Sequence, residues 1–209
     1  MNILQPDIES YLAKRIQSPH PVFTDMEKRA ERLRFPIIGP VVGNLLRQYA
    51  TLLQARRIFE MGSGYGYSAL WFAFGMSADG TVICTERSSE NLQLMQDFFA
   101  KAGQNAKLDA RQGDAIEILL NKTGPFDIIL MDIDKHDYVR GFEAAWPRLR
   151  PGGLFIADNV LWKGQVLDAQ PDDRTRAILE FTQMVLNQRN ALTSIIPIRD
   201  GVLVALKKE

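Results

Sequence analysis

Short apolar runs alternate along the chain with longer segments of helical periodicity. Each apolar run is short enough for a buried strand, and turn residues separate it from the next helical segment. This alternation predicts a doubly wound, mostly parallel α/β sheet of the Rossmann-like type. The predicted parallel strands are Arg57–Met61, Gly80–Glu86, Leu108–Gln112, Phe126–Met131 and Leu154–Ala157.

The end of the chain has a different pattern. Two apolar segments, Thr193–Ile198 and Val202–Lys207, flank the turn Arg199-Asp200-Gly201. This arrangement predicts an antiparallel hairpin at one edge of the sheet.

Three helices are predicted before the first strand. The first spans Pro6–Gln17. The second begins with a Thr24–Glu27 capping box and ends at about Arg34, and the third spans Val41–Leu53. They could cover a nucleotide-side pocket or pair with another subunit, and the sequence favours neither. We therefore expect one domain over 1–209, with a helical cap at 1–54 and a Rossmann-like core at 55–209.

The later helices follow the strands. A tight turn is expected at Arg150-Pro151-Gly152-Gly153, and an irregular, lid-like loop from Trp162 to Asp173. The predicted helices run from Tyr67 to Phe74, from Ser88 or Ser89 to Ala102, from the segment around Tyr138 to Leu149, and from Arg174 to Gln188.

Composition excludes several classes of protein. The 209 residues carry 25 basic and 25 acidic side chains, so no nucleic-acid-binding surface or polybasic membrane patch is expected. No apolar run reaches the length of a membrane span, and Met1–Asp7 lacks the features of a signal peptide. The single cysteine, Cys84, is expected in a buried strand. A cytoplasmic protein follows as the expectation.

A glycine-rich loop follows the first strand. Its glycines, Gly62, Gly64 and Gly66, are spaced G-x-G-x-G, and Tyr67 stands where the dinucleotide fingerprint needs its third glycine. Glu60 precedes the loop, and a carboxylate suits a cationic ligand better than a pyrophosphate. The loop therefore favours S-adenosylmethionine, which carries an ammonium and a sulfonium. The alternative is a turn that only joins strand to helix.

Acidic residues follow the next two strands. Glu86 ends the second strand, where a carboxylate can accept from both ribose hydroxyls, unless it is only a solvated charge. Gly113, Asp114 and Ala115 could border an adenine. Asp114 with Glu117 also has the spacing of a helix cap, and both roles can hold together.

Two neighbouring buried strands end in oxygen ligands. Asp132 ends one strand, and Asp158 with Asn159 ends the next. Parallel strands end at the same edge, so these side chains should converge beside the glycine loop. Two carboxylates and an amide oxygen suit Mg²⁺ or Mn²⁺; the alternative is strand-end hydrogen bonding alone. Asp134 and Asp137 are poorer candidates, because acids are favoured in the first turn of a helix.

A lysine follows the first of these acids. Lys135 comes three residues after Asp132, and a nearby divalent cation disfavours a second positive charge, so the amine could act as a general base. A surface lysine paired with Asp132 or Asp134 is the alternative. His136 is a rival base, but it should point about 100° further round the helix.

Several spaced motifs together resemble the cation-dependent small-molecule O-methyltransferases, which include the catechol and caffeoyl-coenzyme A enzymes. The motifs are Phe59–Ser68, Gly113-Asp114-Ala115, Phe126–Lys135 and Ala157–Trp162, and the similarity runs from about Gly39 to the C-terminus. It implies a divalent cation (Mg²⁺, or Mn²⁺ or Ca²⁺) and a homodimer.

The resemblance also implies residue roles. Asp132, Asp158 and Asn159 would hold the cation, and Lys135 would be the catalytic base, with Asp132 and Asn159 beside it in the catalytic group. Residues expected to bind S-adenosylmethionine are Glu60, Gly62, Ser63, Gly64, Tyr65, Ser68, Glu86, Arg87, Gly113, Asp114, Ala115 and Asp132.

The sequence departs from many relatives at Ile133 (often Ala), Thr182 (often Asn) and Arg199 (often Gly). These departures bear on the choice of substrate. The predicted function is methylation of a small aromatic, catechol-like hydroxyl. The alternatives are N-methylation, a silent S-adenosylmethionine-binding module and a nicotinamide-dependent oxidoreductase, which Tyr67 disfavours.

Overall fold

A computed structural model describes residues 6–209, so the predicted properties of residues 1–5, including part of the segment inspected for a signal peptide, lie outside the described residues. Seven strands form one sheet in the order β3-β2-β1-β4-β5-β7-β6. The strands are β1 (Arg57–Met61), β2 (Thr81–Glu86), β3 (Leu108–Gln112), β4 (Phe126–Met131), β5 (Leu149–Ala157), β6 (Ala191–Ile196) and β7 (Val202–Lys207).

Strands β1 to β5 pair in parallel, and β7 pairs antiparallel with both β5 and β6. The order reverses at β1, which lies between β2 and β4. Open α/β sheets bind ligands at such a switch point, outside the carboxyl ends of the strands. The predicted fold class and the C-terminal hairpin are therefore confirmed.

Helices cover both faces of the sheet. They are α1 (Pro6–Ala13), α2 (Val22–Leu33), α3 (Gly39–Leu52), α4 (Tyr67–Gly75), α5 (Ser89–Lys101), α6 (Ala115–Leu120), α7 (Tyr138–Ala145) and α8 (Asp173–Leu186). One buried apolar cluster joins the sheet to α2–α5, and a second joins it to α6–α8. None of these helices, within residues 6–209, has the length and apolar character that a membrane crossing requires.

The N-terminal helices pack directly on the core. Phe23 of α2 lies 4.4 Å from the ring of Trp71 in α4, measured between ring centroids. A Cβ on Gly43 of α3 would come within 2.3 Å of Nε1 of the same tryptophan. The segment between α2 and α3 therefore lies over the glycine loop, which agrees with the first of the two roles considered for these helices.

Two predicted boundaries at the N-terminus were wrong. The first helix ends at Ala13, before the predicted Gln17. The second helix begins at Val22, two residues before the predicted capping box, and Nδ1 of His20 accepts from the Val22 N–H at 3.2 Å. The N-cap position is Pro21 and has no side-chain cap, so the predicted capping box is absent, and the imidazole only accepts from the first N–H of the helix.

The predicted turn at 150–153 was also wrong, since these residues belong to β5. Phe126 pairs with Leu149 and Ile128 with Leu154, so residues 150–153 form a bulge opposite Asp127. Nε of Arg150 donates to the Asp127 carboxylate at 2.6 Å. The ion pair keeps the bulge against the sheet, and the strand continues through it.

Candidate active site

The glycine loop is fastened to its neighbours by short contacts. Gly62 has φ +82°, and a Cβ on it would lie 2.2 Å from the carbonyl oxygen of Asp132. The Gly62 N–H donates to Oγ1 of Thr85 at 3.2 Å, and the Ser63 N–H donates to the Thr85 carbonyl at 2.9 Å. Only glycine fits this crossing of the β1 and β4 ends.

Two adjoining hollows share Gly62 and Glu86, on either side of the loop. Their empty volumes, counting space that is open to solvent, are about 560 and 710 Å³. One hollow is lined by Thr85, Arg87, Gly113, Asp114, Ala115, Ile116, Ile133, Asp134 and Asp137. The other is lined by Phe35, Pro36, Ile37, Ile38, Ser63, Gly64, Tyr65, Tyr67, Ser68 and Asp132.

Glu60 lies beneath the second hollow and is fully buried. The Ser68 hydroxyl donates to its Oε1. Its Oε2 is buried and has no hydrogen-bond partner among the described residues. Burial raises the pKa of Glu60 to about 7, and the charge of Asp132 adds to the rise. A cationic group beside Oε2 would supply the missing interaction.

The first hollow carries the predicted ribose and adenine residues. Oε1 of Glu86 accepts from the Ser88 N–H at 2.8 Å, at the end of β2. Oδ1 of Asp114 accepts from the N–H groups of Ile116 and Glu117, both at 3.0 Å, which confirms the predicted cap of α6. These backbone bonds, with Arg87 at 2.5 Å, hold the pKa of Asp114 below its usual value.

The Lys135 amine is the centre of a polar cluster at the ends of β4 and β5. Nζ lies 3.2 Å from Oδ1 of Asp132 and 3.1 Å from Oδ1 of Asn159, and it also donates to the Tyr138 hydroxyl. That hydroxyl donates to the Asp158 carbonyl at 2.8 Å. The predicted pairing of Lys135 with Asp132 is therefore present, but the lysine is only 7% exposed and is not a surface residue.

Asp158 completes the cluster. Nδ2 of Asn159 donates to Oδ2 of Asp158 at 3.2 Å, while Oδ1 of Asp158 is buried without a partner in residues 6–209. Burial, and then the neighbouring Asp132 charge, raise the pKa of Asp158 to about 7. A buried oxygen without a partner, beside a second carboxylate and an amide oxygen, is a donor set that fits a hard divalent cation.

The described residues contain no cluster of three His, Cys, Asp or Glu side chains suited to a metal. A cation at this edge would therefore depend on the Asn159 amide oxygen as well as the two carboxylates. His136, the rival base, is exposed, and its backbone N–H donates to Oδ1 of Asp134 at 3.1 Å.

The hairpin turn supports this rim. The Val160 N–H donates to the Gly201 carbonyl at 3.1 Å, and the Leu161 N–H to the Asp200 carbonyl at 2.9 Å. Trp162 follows, and its ring centroid lies 5.7 Å from Nζ of Lys135. Residues Trp162–Leu167 contain short 3₁₀ turns interrupted by a kink at Lys163 and Gly164, whose φ angles are +54° and +81°, so this part of the predicted loop is irregular.

Sequence reasoning missed three contributors to the site: Tyr138, Thr85 and residues 35–38. Tyr138 follows Lys135 at the i, i+3 spacing that brings helical side chains together, so a signal existed. Thr85 precedes the predicted ribose acid and resembles any strand residue. Residues 35–38 are one chain-breaking proline among apolar residues, and they gave no sign of a pocket wall.

Comparisons with known proteins bear on this geometry. The family model described as O-methyltransferase matches residues 19–208. The catechol O-methyltransferase of Niastella koreensis is 37% identical over 135 residues, covering 63% of this chain and 61% of that protein. Caffeoyl-CoA O-methyltransferase 2 of Zea mays is 33% identical over 175 residues, with 77% and 66% covered. The chain thus spans less than two thirds of these relatives' lengths.

Solved structures agree over nearly the whole chain. The O-methyltransferase from Bacillus cereus, in complex with SAH, superimposes with a TM-score of 0.87, 26% identity and 97% of each chain covered. The O-methyltransferase TomG from Streptomyces achromogenes, in complex with SAM, gives a TM-score of 0.88 at 26% identity, with 97% and 96% covered.

The family resemblance inferred from the motifs is confirmed, because the family model matches about nine tenths of the sequence. This chain belongs to the O-methyltransferase family.

Proposed function

We propose that this protein is an S-adenosylmethionine-dependent, divalent-cation-dependent O-methyltransferase that acts on a small aromatic, catechol-like hydroxyl. The observation that carries the proposal is the convergence of Lys135, Asp132 and Asn159 at one rim beside the glycine loop. The SAH and SAM complexes of the two structural relatives support the cofactor.

The residues around the two hollows suit the parts of S-adenosylmethionine. Glu60 has a buried carboxylate oxygen without a partner among the described residues, and a cationic methionine portion would supply that partner. Glu86, which lines both hollows, would accept from the ribose hydroxyls. Gly113, Asp114 and Ala115 would border the adenine.

The cation would be held by Asp132, Asp158 and Asn159, whose oxygens are hard ligands suited to Mg²⁺, with Mn²⁺ or Ca²⁺ as alternatives. A phenol has a pKa of about 10 and is a weak nucleophile at neutral pH. A bound divalent cation would favour its ionised form, and S-adenosylmethionine would supply an electrophilic methyl group.

The chain's own groups would perform the proton transfer. Lys135 would accept the proton of the acceptor hydroxyl at Nζ, the atom that Asn159 and Tyr138 hold in place. The rings of Tyr138 and Trp162 lie 4.4 and 5.7 Å from that nitrogen and keep water away from it. Holding the hydroxyl beside the cofactor would contribute much of the rate.

A methylation assay tests the proposal. Transfer from S-adenosylmethionine to catechols, hydroxycinnamoyl esters and flavonoids would be measured with Mg²⁺ and with EDTA. Product that appears with Mg²⁺, disappears with EDTA and returns when the cation is restored is the expected result. No product with any of these acceptors would contradict the acceptor class, and undiminished turnover in EDTA would contradict cation dependence.

A cytoplasmic homodimer without nucleic-acid or membrane partners is part of the same proposal. Light scattering of the purified protein would measure its mass, and a value equal to the chain mass of 23.6 kDa would contradict the dimer.

A further inference from the structure

Arg199 occupies the hairpin turn that supports the Asp158–Trp162 segment. Its φ is +49°, a left-handed conformation that is uncommon for a residue with a side chain. The next two residues of the turn bind the backbone after Asn159, through the Asp200 and Gly201 carbonyls. The turn thus places the Arg199 side chain at the rim that also carries Asp158.

The guanidinium extends from this rim toward the wall of the cofactor pocket. Nη1 donates to the carbonyl of Ile37, a residue that lines the second hollow. Nε lies 3.6 Å from Oε1 of Glu9 in α1. The guanidinium therefore links the turn beside the Asp158–Asn159 rim to the wall of the second hollow.

The ion pair with Glu9 is long and partly exposed. At 3.6 Å it exceeds hydrogen-bond distance, and the side chains are 33% and 45% exposed for Arg199 and Glu9. Pairs of this kind contribute little to stability. A guanidinium can hold a carboxylate through two parallel bonds, which is a much stronger arrangement than the one present.

We propose that Arg199 selects acceptors that carry a carboxylate, and that the acceptor's carboxylate replaces Glu9 as its partner. This inference rests on the proposed function and specifies its substrate class: an aromatic hydroxy acid rather than an uncharged catechol. The carboxylate of Glu9, already beside Nε, shows which chemistry this guanidinium accepts. A role limited to tying α1 and Ile37 to the turn is the competing explanation.

Matched acceptors separate the two explanations. The value of kcat/KM would be measured for protocatechuate and for its uncharged amide, with the wild type, Arg199→Gln and Arg199→Lys. We expect the acid-to-amide ratio to fall about tenfold in Arg199→Gln, because a charge-assisted bond is lost. Arg199→Lys should retain part of the ratio. If both acceptors lose activity equally and the ratio stays constant, the inference is overturned.

Glu9→Gln provides the reciprocal test. Removing the competing carboxylate should raise the acid-to-amide ratio several-fold through a lower KM for the acid, and an unchanged ratio would overturn the exchange of partners. The amide also separates this inference from the proposed function. If the wild type methylates the amide, and the acid-to-amide ratio of kcat/KM is the same in Arg199→Gln as in the wild type, only the inference fails. If the wild type methylates neither compound but does methylate another acceptor of the earlier screen, the inference alone fails. If it methylates no acceptor at all, the proposed function fails and the inference with it.

Discussion

Nζ of Lys135 lies 3.1 Å from Oδ1 of Asn159, although the two residues follow different strands and are 24 positions apart. The contact exists because β4 and β5 are parallel neighbours, with Met131 paired to Ala157 at their ends. The residues just beyond that pair must lie side by side. The same register brings Asp132 and Asp158 to this edge.

Replacing Lys135 with alanine should reduce kcat about a hundredfold to ten-thousandfold, the range for loss of a general base. SAH affinity, measured by calorimetry, should stay close to the wild-type value, because Lys135 lines neither hollow. Lys208→Ala, at an exposed position, is the control and should leave both quantities unchanged. Wild-type turnover in Lys135→Ala would remove the amine from the mechanism.

Tyr138→Phe removes a hydroxyl that accepts from Lys135 and donates to the Asp158 carbonyl. The variant should lower kcat about tenfold with little change in KM. Its free energy of unfolding should be about 1–3 kcal/mol lower than that of the wild type, because a buried carbonyl loses its donor. Urea unfolding and steady-state kinetics measure the two effects. Tyr11→Phe, at a side chain 55% exposed, is the control. Unchanged kcat would show that the amine needs no such support.

Gly62→Ala tests the close crossing of β1 and β4. The added Cβ would meet the Asp132 carbonyl at 2.2 Å, so the variant should lose about 1–3 kcal/mol to overpacking besides the strain of its positive φ. Gly103→Ala is a matched control, since that glycine has φ +65° with nothing within 4 Å of the built Cβ. Denaturant unfolding measures the free energy of unfolding of both variants, and the difference between their losses is the effect of the close crossing. Equal losses in Gly62→Ala and Gly103→Ala would contradict that effect.

The buried carboxyl of Glu60 predicts a dependence of stability on pH. Its folded pKa of about 7 lies above the ordinary value of 4.5. Between these values the folded chain keeps a proton that the unfolded chain has released. The free energy of unfolding should therefore fall as pH rises through this window, by on the order of 3 kcal/mol.

Urea unfolding across this window, with the wild type and Glu60→Gln, measures the effect. The amide cannot ionise, so the variant should lose this part of the slope. It should retain the part that comes from Asp158, which has the same sign because its pKa is also raised to about 7. A slope in Glu60→Gln as steep as in the wild type would show that Glu60 does not titrate in this window.

Much of the sheet followed from the sequence because its strands are buried on both faces. The bounds of β4 match the predicted run, since a strand buried in this way has a continuous apolar stretch with clear ends. The convergence of Asp132, Asp158 and Asn159 followed from the rule that parallel strands end at one edge. That rule needs no knowledge of side-chain contacts.

Contacts between segments far apart in the chain could not be predicted from the sequence. The bulge at 150–153 depends on an ion pair with Asp127 across the sheet. Tyr138 was inside a predicted helix, but its link to Asp158 requires the register of β4 and β5. The wall at 35–38 exists only because α2 and α3 pack over α4.

The hairpin has a consequence for the order in which the molecule is made. Every residue that lines the two hollows precedes position 138. The segment after Asn159 is instead fastened by carbonyls of Asp200 and Gly201, which lie in the C-terminal hairpin turn. Because synthesis proceeds from the N-terminus, the residues around the two hollows are made before the turn that supports the segment after Asn159.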